Sequence, residues 1–210
     1  EITEIADRCM KSSGGGPALL FEHPVLPDGA KSRFPVLINA FGSTRRMETA
    51  LGASSLDDIG SRIQELLATA VPGGMAGKLS MLPKLAELAT YPPARAKGPA
   101  PCQSVVQREH EVDLRLFPHL ICWPEDGGPY ITFPMVITKD PVTGTRNVGL
   151  YRIQVQGPRE LAMHWQRHKG GAEHERKARE AAKPKIPAAI VLGGDPASMW
   201  CASAPLPPNI

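Results

Sequence analysis

The residues best able to do chemistry lie within one segment of the chain, residues 123–171. Asn147 and Arg152 are five positions apart in an extended pattern, and Gly149 lies between them. Positions five apart in a regular strand point to opposite faces, so these side chains can serve one ligand only where the strand bends or the ligand wraps around its end. Gly149 permits a bulge, or the close approach of a flat ring or a phosphate. A turn asparagine and a surface arginine are the alternative.

The second motif reads HWQRHKGG and starts at His164. His164 and His168 have the i, i+4 spacing of a helical metal pair, but the two glycines after Lys169 would end such a helix at once. We therefore predict a single histidine ligand, with Lys169 and the glycine amides facing a phosphate at the start of the next helix. The amide oxygen of Asn147 and one imidazole would suit a divalent ion that also takes a phosphate oxygen. No obvious carboxylate follows in the chain to complete the shell.

Composition and charge narrow the function class. The 210 residues are 42% hydrophobic and 21% charged, which predicts a globular protein with one large domain or two small ones. No run of about 18 apolar residues and no signal-peptide layout is found, so we expect a cytoplasmic protein. Four scattered cysteines without a CxxC pair indicate neither a zinc cage nor a disulfide framework.

The charge is unevenly distributed along the chain. The net charge is +3, and residues 159–185 carry eight Lys and Arg against four Glu. A local basic patch beside a glycine pair suits a phosphate-bearing ligand better than nucleic acid, which needs a broader footprint. A solvated helix face is the alternative.

The first hundred residues alternate helical and extended patterns. Helical patterns occur at four places: residues 1–11, residues 45–51 behind a capping loop, the helix that Ser55 opens, and residues 84–89. Short apolar runs predict buried strands at 18–21 and 35–40. Residues 71–101 are rich in Pro, Gly and Ala, which predicts a domain junction.

The second half changes character. Extended patterns cover residues 104–114, 130–138 and 147–156, and the last two are joined by residues 139–144, whose Pro and Gly predict the turn of an antiparallel hairpin. Three more elements are expected: a charged helix at 171–182 that Pro184 ends, a buried strand at 188–192 and a short helix near 198–202.

Four runs of sequence carry a family resemblance: PVLINAFGSTRRM, CWPEDGGPYITFPMVITKDPVTGTRNVGLYR, MHWQRHKGG and VLGGDPASMWCASAPLP. They resemble the UbiD family, decarboxylases that use prenylated flavin mononucleotide, and the resemblance spans nearly the whole chain. It implies an α+β fold with an N-terminal α/β domain at residues 1–100. A split antiparallel β-barrel resembling flavin reductases would follow at residues 101–210.

The resemblance also assigns roles to individual residues. Asn147 corresponds to the asparagine that binds the metal bridging to the cofactor phosphate, and His164 to a histidine ligand of that metal. Arg152 corresponds to the active-site arginine near the flavin and the substrate carboxylate, so it is the predicted catalytic residue. The main chain near Val148 and at 202–204 resembles the monovalent-cation site. The implied cofactor contacts are Leu150, Tyr151, Arg152, His164, Trp165, Gln166, Lys169 and Gly170.

The implied cofactors are prenylated FMN, a divalent metal expected to be Mn²⁺, and K⁺. The implied partners are a small carboxylic acid substrate, further copies of the chain in a dimer or hexamer, and a flavin prenyltransferase that supplies the cofactor. Nucleic acid is not expected. A polyprenylated substrate, as in ubiquinone biosynthesis, would place the protein at the membrane periphery.

Family members are usually more than twice this length. The resemblance therefore implies that a further metal-binding glutamate and the acid that transfers the proton lie beyond Ile210 or in a second chain. We expect a reversible decarboxylase of aromatic or α,β-unsaturated acids of the 4-hydroxybenzoate type, with this chain supplying the cofactor-binding part and inactive alone. The alternative is a non-catalytic module that binds flavin phosphate or serves in assembly.

Overall fold

The computed structural model describes residues 1–67, 79–92, 94, 97–183 and 185–204. Contacts divide the chain into two compact units, one formed by residues 1–53 with the chain from 112 onward, the other by residues 54–111. The expected division at residue 100 stays a prediction. Pro184 and much of the predicted junction lie outside the described residues. Within the described ranges, no helix combines the length and apolar character needed to cross a membrane.

The first 53 residues form the predicted helices and strands. The elements are α1 (Ile2–Met10), β1 (Leu19–Phe21), β2 (Val36–Ile38) and α2 (Thr44–Leu51), with β1 and β2 antiparallel. The Ser43 side chain accepts from the Arg46 N–H, so this serine, within the predicted capping loop, caps α2. The predicted burial of both strands is wrong, because a two-stranded ribbon leaves Leu20 and Leu37 exposed.

The smaller unit contains α3 (Leu56–Leu67) and α4 (Leu82–Leu88), both near their predicted places. The extended element predicted at 104–114 is wrong, since the described residues there form short 3₁₀ turns at Glu109–Glu111 and Leu114–Leu116. The charged run closes on itself: the Arg108 N–H donates to the Glu111 carboxylate, and the Glu111 N–H donates to the Arg108 carbonyl. A strand partner is therefore not needed for these groups.

The predicted hairpin is confirmed. Strands β4 (Met135–Lys139) and β5 (Arg146–Leu150) pair antiparallel, with Thr138 opposite Asn147. Asp140 shapes the turn by accepting from the N–H groups of Val142 and Thr143. The other strands are β3 (Tyr130–Ile131), β6 (Ile153–Gly157), β7 (Glu160–Met163) and β8 (Ala188–Val191).

These strands form two small antiparallel sheets, ordered β5-β4-β8 and β3-β6-β7. The predicted strands 130–138 and 147–156 are each interrupted, at residues 132–134 and at residues 151–152, where the chain passes from one sheet to the other. Strand 188–192 is less buried than predicted, because β8 is a sheet edge. The mixed α+β fold is confirmed, whereas the split barrel stays a proposal, since the two sheets in the described residues do not close on each other.

A hydrophobic core joins the two sheets. Val136 comes from one sheet, and Ile131 and Ile153 come from the other. Tyr151, which lies in the break between β5 and β6, completes the buried cluster. Two helices complete this unit, α5 (Gly170–Glu180) and α6 (Pro196–Cys201), again close to their predicted positions. The core therefore fixes the bend of the chain beside Arg152.

Candidate functional site

The chain bends between β5 and β6, at Tyr151 and Arg152. Gly149, where the sequence permitted a bulge, instead pairs regularly with Val136 within β5. Asn147 remains on β5 opposite Thr138, whereas Arg152 follows the end of that strand. The Leu150 N–H donates to the Ala202 carbonyl oxygen, 3.1 Å away, so the segment after α6 is fastened beside β5. The chain leaves its sheet between Asn147 and Arg152. The alternation of a single regular strand therefore does not send these two side chains to opposite faces.

A buried tyrosine connects Asn147 to helix α5. Tyr151 is 5% exposed, and its hydroxyl oxygen accepts from Asn147 Nδ2 at 3.1 Å and from the Gly171 N–H at 3.0 Å. Because the amide nitrogen of Asn147 is used in this way, its Oδ1 atom remains available as an acceptor or a metal ligand. The Gly171 amide that we predicted to face a phosphate is instead bonded to Tyr151.

Three glycines allow the close packing around this tyrosine. A Cβ atom on Gly170 would lie 2.1 Å from Asn147 Oδ1, and one on Gly149 would lie 2.5 Å from the Tyr151 hydroxyl oxygen. On Gly171 it would lie 3.0 Å from Trp165 Cε2. Asn147 Oδ1 therefore lies beside the first residue of α5, whose N–H has no acceptor within the helix. An oxygen ligand and a backbone donor are adjacent at this point.

Arg152 is supported on two sides. Its guanidinium carbon lies 3.8 Å from the centroid of the Tyr130 ring, and its Nη2 atom lies 3.3 Å from Asp126 Oδ2. The Trp123 N–H also donates to Asp126 Oδ2, at 3.1 Å, which fixes this carboxylate within the loop. A cation–π contact and an ion pair together restrict the plane of the guanidinium. Sequence reasoning missed Asp126 and Tyr130, although both lie in the WPEDGGPY run.

Arg152 and His164 line one open pocket of about 220 Å³. The His164 N–H donates to the Arg152 carbonyl oxygen at 3.0 Å, which extends the β6–β7 pairing by one step. The remaining lining residues are Tyr130, Gln154, Ala162 and Met163. The structure therefore brings together the predicted catalytic arginine and the predicted histidine ligand.

The other predicted contact residues surround the start of α5. Trp165 packs edge-on against Tyr151, with ring centroids 6.1 Å apart, and its buried indole N–H has no partner among the described residues. Gln166 and Lys169 are exposed, and the Lys169 N–H donates to the Gln166 carbonyl. His168 lies in the turn before α5, so it forms no helical pair with His164. Among the described residues no three His, Cys, Asp or Glu side chains form a metal cluster.

The three basic residues of the patch that lie within α5 are paired with carboxylates. Arg176 pairs with Glu173 and Glu180, and Arg179 pairs with Glu175. These contacts favour the solvated helix face over a phosphate site for this part of the chain. Lys169, in the turn before the helix, is the basic residue placed beside Gly170 and Asn147.

Lys177 and His174 lie on the inner side of the same helix. Lys177 Nζ is 2.7 Å from Asp140 Oδ2, and this hydrogen bond raises the pKa of Lys177 and holds the pKa of Asp140 well below its usual range. His174 Nδ1 is 2.9 Å from Thr138 Oγ1. Burial lowers the pKa of His174 because it penalises the charged imidazolium.

Comparison with known families assigns the chain. The family model described as the 3-octaprenyl-4-hydroxybenzoate carboxy-lyase Rift-related domain matches residues 94–210, more than half of the chain. The N-terminal domain of the same carboxy-lyase matches residues 1–63. The chain belongs to the UbiD family. The resemblance found in the sequence is thereby confirmed.

One relative of this UbiD-family chain is an uncharacterized protein of Aquifex aeolicus (strain VF5), 46% identical over 210 residues, which are 100% of the chain and 42% of the relative. The chain thus spans about two fifths of the curated relatives it matches. Its fold is similar to the closed form of vanillic acid decarboxylase from Sedimentibacter hydroxybenzoicus, with a TM-score of 0.74 and 23% identity, over 100% of this chain and 40% of that one.

Two further UbiD-class structures are somewhat nearer in sequence. The enzyme HmfF of Pelotomaculum thermopropionicum, in complex with FMN, is 25% identical with a TM-score of 0.61, over 97% of this chain and 43% of that one. The apo 3,4-dihydroxybenzoic acid decarboxylase of Klebsiella pneumoniae is 26% identical with a TM-score of 0.60, over 87% of this chain and 33% of that one. The fold is therefore one that decarboxylases use.

Proposed function

We propose that the chain is the cofactor-binding part of a reversible, prenylated-FMN-dependent decarboxylase of aromatic or α,β-unsaturated carboxylic acids, of the 4-hydroxybenzoate type. One observation carries the proposal: Arg152, supported by Asp126 and Tyr130, shares a pocket with His164. The FMN complex of HmfF supports the choice of a flavin, and the dihydroxybenzoic acid decarboxylase supports that of an aromatic acid.

The residues at the start of α5 fit a flavin phosphate and its metal. Asn147 Oδ1 lies beside Gly170, the first residue of the helix, where a backbone N–H and the helix dipole favour an anion. Lys169 adds a positive charge, and we propose that His164, from the Arg152 pocket, adds an imidazole. An amide oxygen, an imidazole and a phosphate oxygen are a suitable donor set for Mn²⁺. We propose K⁺ near Val148 and residues 202–204, although the Ala202 carbonyl already accepts from Leu150.

When bound, prenylated FMN supplies the electron sink that loss of carbon dioxide requires. Arg152 then binds the substrate carboxylate with paired, charge-assisted hydrogen bonds. Tyr130 fixes the guanidinium plane, and Asp126 occupies the Nη2 side, which directs the remaining N–H groups toward the pocket. We propose that a carboxylic acid outside this chain, in the rest of the protein or a second chain, donates the proton to the product carbon.

The proposed metal site needs more protein ligands than this chain supplies. Asn147 and His164 supply two protein ligands, and we propose a carboxylate from the rest of the protein as a third. We further propose a homo-oligomer, a dimer or hexamer, whose cofactor a flavin prenyltransferase supplies. The proposed location is cytoplasmic, at the membrane periphery if the substrate is polyprenylated.

The test uses the full-length protein loaded with prenylated FMN and screened for carbon dioxide release from hydroxybenzoic and acrylic-type acids. Arg152→Ala should lower kcat/KM by about 100-fold or more, because charge-assisted hydrogen bonds of about 1.5–3 kcal/mol each are lost. Arg176→Ala, on the solvent face of α5, is the matched control and should leave turnover unchanged.

Two outcomes would count against the proposal. Turnover of Arg152→Ala at the wild-type rate would remove the catalytic role of this arginine. A loaded wild-type protein that binds FMN tightly but releases carbon dioxide from none of the acids would favour the non-catalytic flavin-phosphate module instead.

A further inference from the structure

Helix α5 is fastened to the β4–β5 hairpin by one buried and one partly buried polar contact. Thr138 and His174, 2% and 7% exposed, form the first, and Asp140 and Lys177 form the second. Residues 174 and 177 lie three apart on one helix face. Thr138 lies on β4, and Asp140 follows the end of that strand. These two contacts, the first and the second rung, together define how far along the hairpin the helix lies.

The first rung, the Thr138–His174 contact, lies next to the proposed metal ligand Asn147. Thr138 is the cross-strand partner of Asn147 in the hairpin. His174 lies one turn after Gly170, the residue against which Asn147 Oδ1 is packed. The Thr138–His174 contact thus links the strand neighbour of Asn147 to the helix whose first residue Asn147 touches.

The proposed metal site requires α5 to be placed accurately along the hairpin. A helix rises about 1.5 Å per residue, so a slip of less than one residue would already displace the Gly170 N–H by about 1 Å. Metal–ligand distances tolerate only about 0.2 Å, and binding sites as a whole about 0.5 Å. Apolar packing alone resists such sliding weakly, because it is not directional. A hydrogen bond between fixed atoms resists it.

We propose that Thr138 and His174 are positioning residues for the phosphate and metal site. They set the position of α5 along the hairpin, and hence the spacing between Asn147 Oδ1 and the Gly170 amide. The inference rests on the proposed function, since it assigns these residues to the site proposed at Asn147. It extends that function to two residues that touch neither substrate nor cofactor.

The second rung, the Asp140–Lys177 contact, is less suitable for testing the positioning role. Asp140 also accepts from the N–H groups of Val142 and Thr143, so its substitution would disturb the hairpin turn as well. Lys177 has a second acidic neighbour, Glu173, at 3.7 Å. The Thr138–His174 pair joins one strand side chain to one helix side chain and is therefore the cleaner target.

The experiment titrates the full-length protein with FMN in the presence of Mn²⁺, by flavin fluorescence and calorimetry, and records the Tm of each variant. Thr138→Val and His174→Leu remove the contact, whereas Thr138→Ser and His174→Asn keep a hydrogen-bonding atom near the original place. Loss of a group that orients a metal ligand typically weakens metal binding by about 10–100-fold, which is the effect expected for the first two variants. The second two should bind more tightly than the first two and closer to wild type.

Glu180→Gln is the matched control, because it breaks a solvent-exposed ion pair with Arg176 on the same helix. It should leave FMN affinity unchanged. Binding at wild-type affinity by Thr138→Val and His174→Leu, with only the Tm lowered, would overturn the inference and leave the pair a purely structural role. If Thr138→Val does not fold, the comparison of His174→Asn with His174→Leu decides in the same way.

Asn147→Ala separates failure of the inference from failure of the proposed function. If Asn147→Ala binds FMN and Mn²⁺ like wild type, the site itself is misplaced and the proposed function fails. If Asn147→Ala loses affinity but Thr138→Val does not, the site stands and only the positioning role is lost.

Discussion

Gly170→Ala is the sharpest perturbation of the proposed site. The added methyl group would lie 2.1 Å from Asn147 Oδ1 and 2.6 Å from Asn147 Cγ, both far inside contact distance. The amide cannot turn away freely, since its Nδ2 atom donates to the Tyr151 hydroxyl at 3.1 Å. We therefore expect the substitution to displace the proposed metal ligand while leaving the rest of the side chains in place.

The size of the effect follows from these distances. To restore ordinary contact, Asn147 Oδ1 must move by about 1 Å, several times the roughly 0.2 Å that metal coordination tolerates. We expect FMN and Mn²⁺ to bind about 10–100-fold more weakly. Overpacking at this position should also lower the free energy of unfolding, by about 1–3 kcal/mol.

The assay compares FMN titration with urea unfolding for Gly170→Ala and for Gly60→Ala. Gly60 lies within α3, and a Cβ atom there would have no neighbour within 4 Å among the described residues. The control should therefore gain about 0.5–1 kcal/mol of stability and keep wild-type affinity. Gly170→Ala with wild-type affinity for both FMN and Mn²⁺ would refute the placement of the phosphate and metal beside Asn147.

Two other predictions concern stability. Tyr151→Phe removes the acceptor of Asn147 Nδ2 and the Gly171 N–H, so urea unfolding should show a loss of about 1–3 kcal/mol, and unchanged stability would contradict the role of this hydroxyl. Burial is the largest cause of the lowered pKa of His174; Lys177 lowers this pKa further, whereas Asp140 and Glu173 raise it. The contribution of neutral His174 to the free energy of unfolding is therefore present above about pH 6.5 and should be lost as the pH falls through the folded pKa. His174→Asn should flatten this part of the curve of unfolding free energy against pH, and an unaltered curve would exclude His174 as its source.

Local patterns predicted the hairpin and the helices well, because their signals are short-range. Pro141 and Gly144 lie within the turn between β4 and β5, and Ser43 caps α2 through its own side chain. The strand prediction at 104–114 was wrong since the charged residues of this run bond to one another in short turns and do not pair with a strand. Val105 and Val106 remain exposed in the described structure.

The site could be predicted only in part. The sequence proposed Asn147 and Arg152, but the break after β5 that separates them depends on the tertiary packing of Tyr151, which no local period reveals. Asp126 and Tyr130 support Arg152 from 26 and 22 residues earlier in the chain, a contact that requires the fold. The antiparallel pairing of β3 with β6 places Tyr130 next to this arginine.

The glycine pair shows how one sequence feature can serve a function indirectly. A glycine-rich turn before a helix predicts a phosphate cradle in which each amide faces the ligand. Here Gly171 donates to Tyr151, and Gly170 leaves room for Asn147 Oδ1. Because these two positions carry no side chain, the Tyr151 hydroxyl and the Asn147 amide can approach the start of the helix. We propose that the amide oxygen of Asn147 and the helix N-terminus act on the same phosphate and metal, so a single methyl group at Gly170 should be enough to separate them.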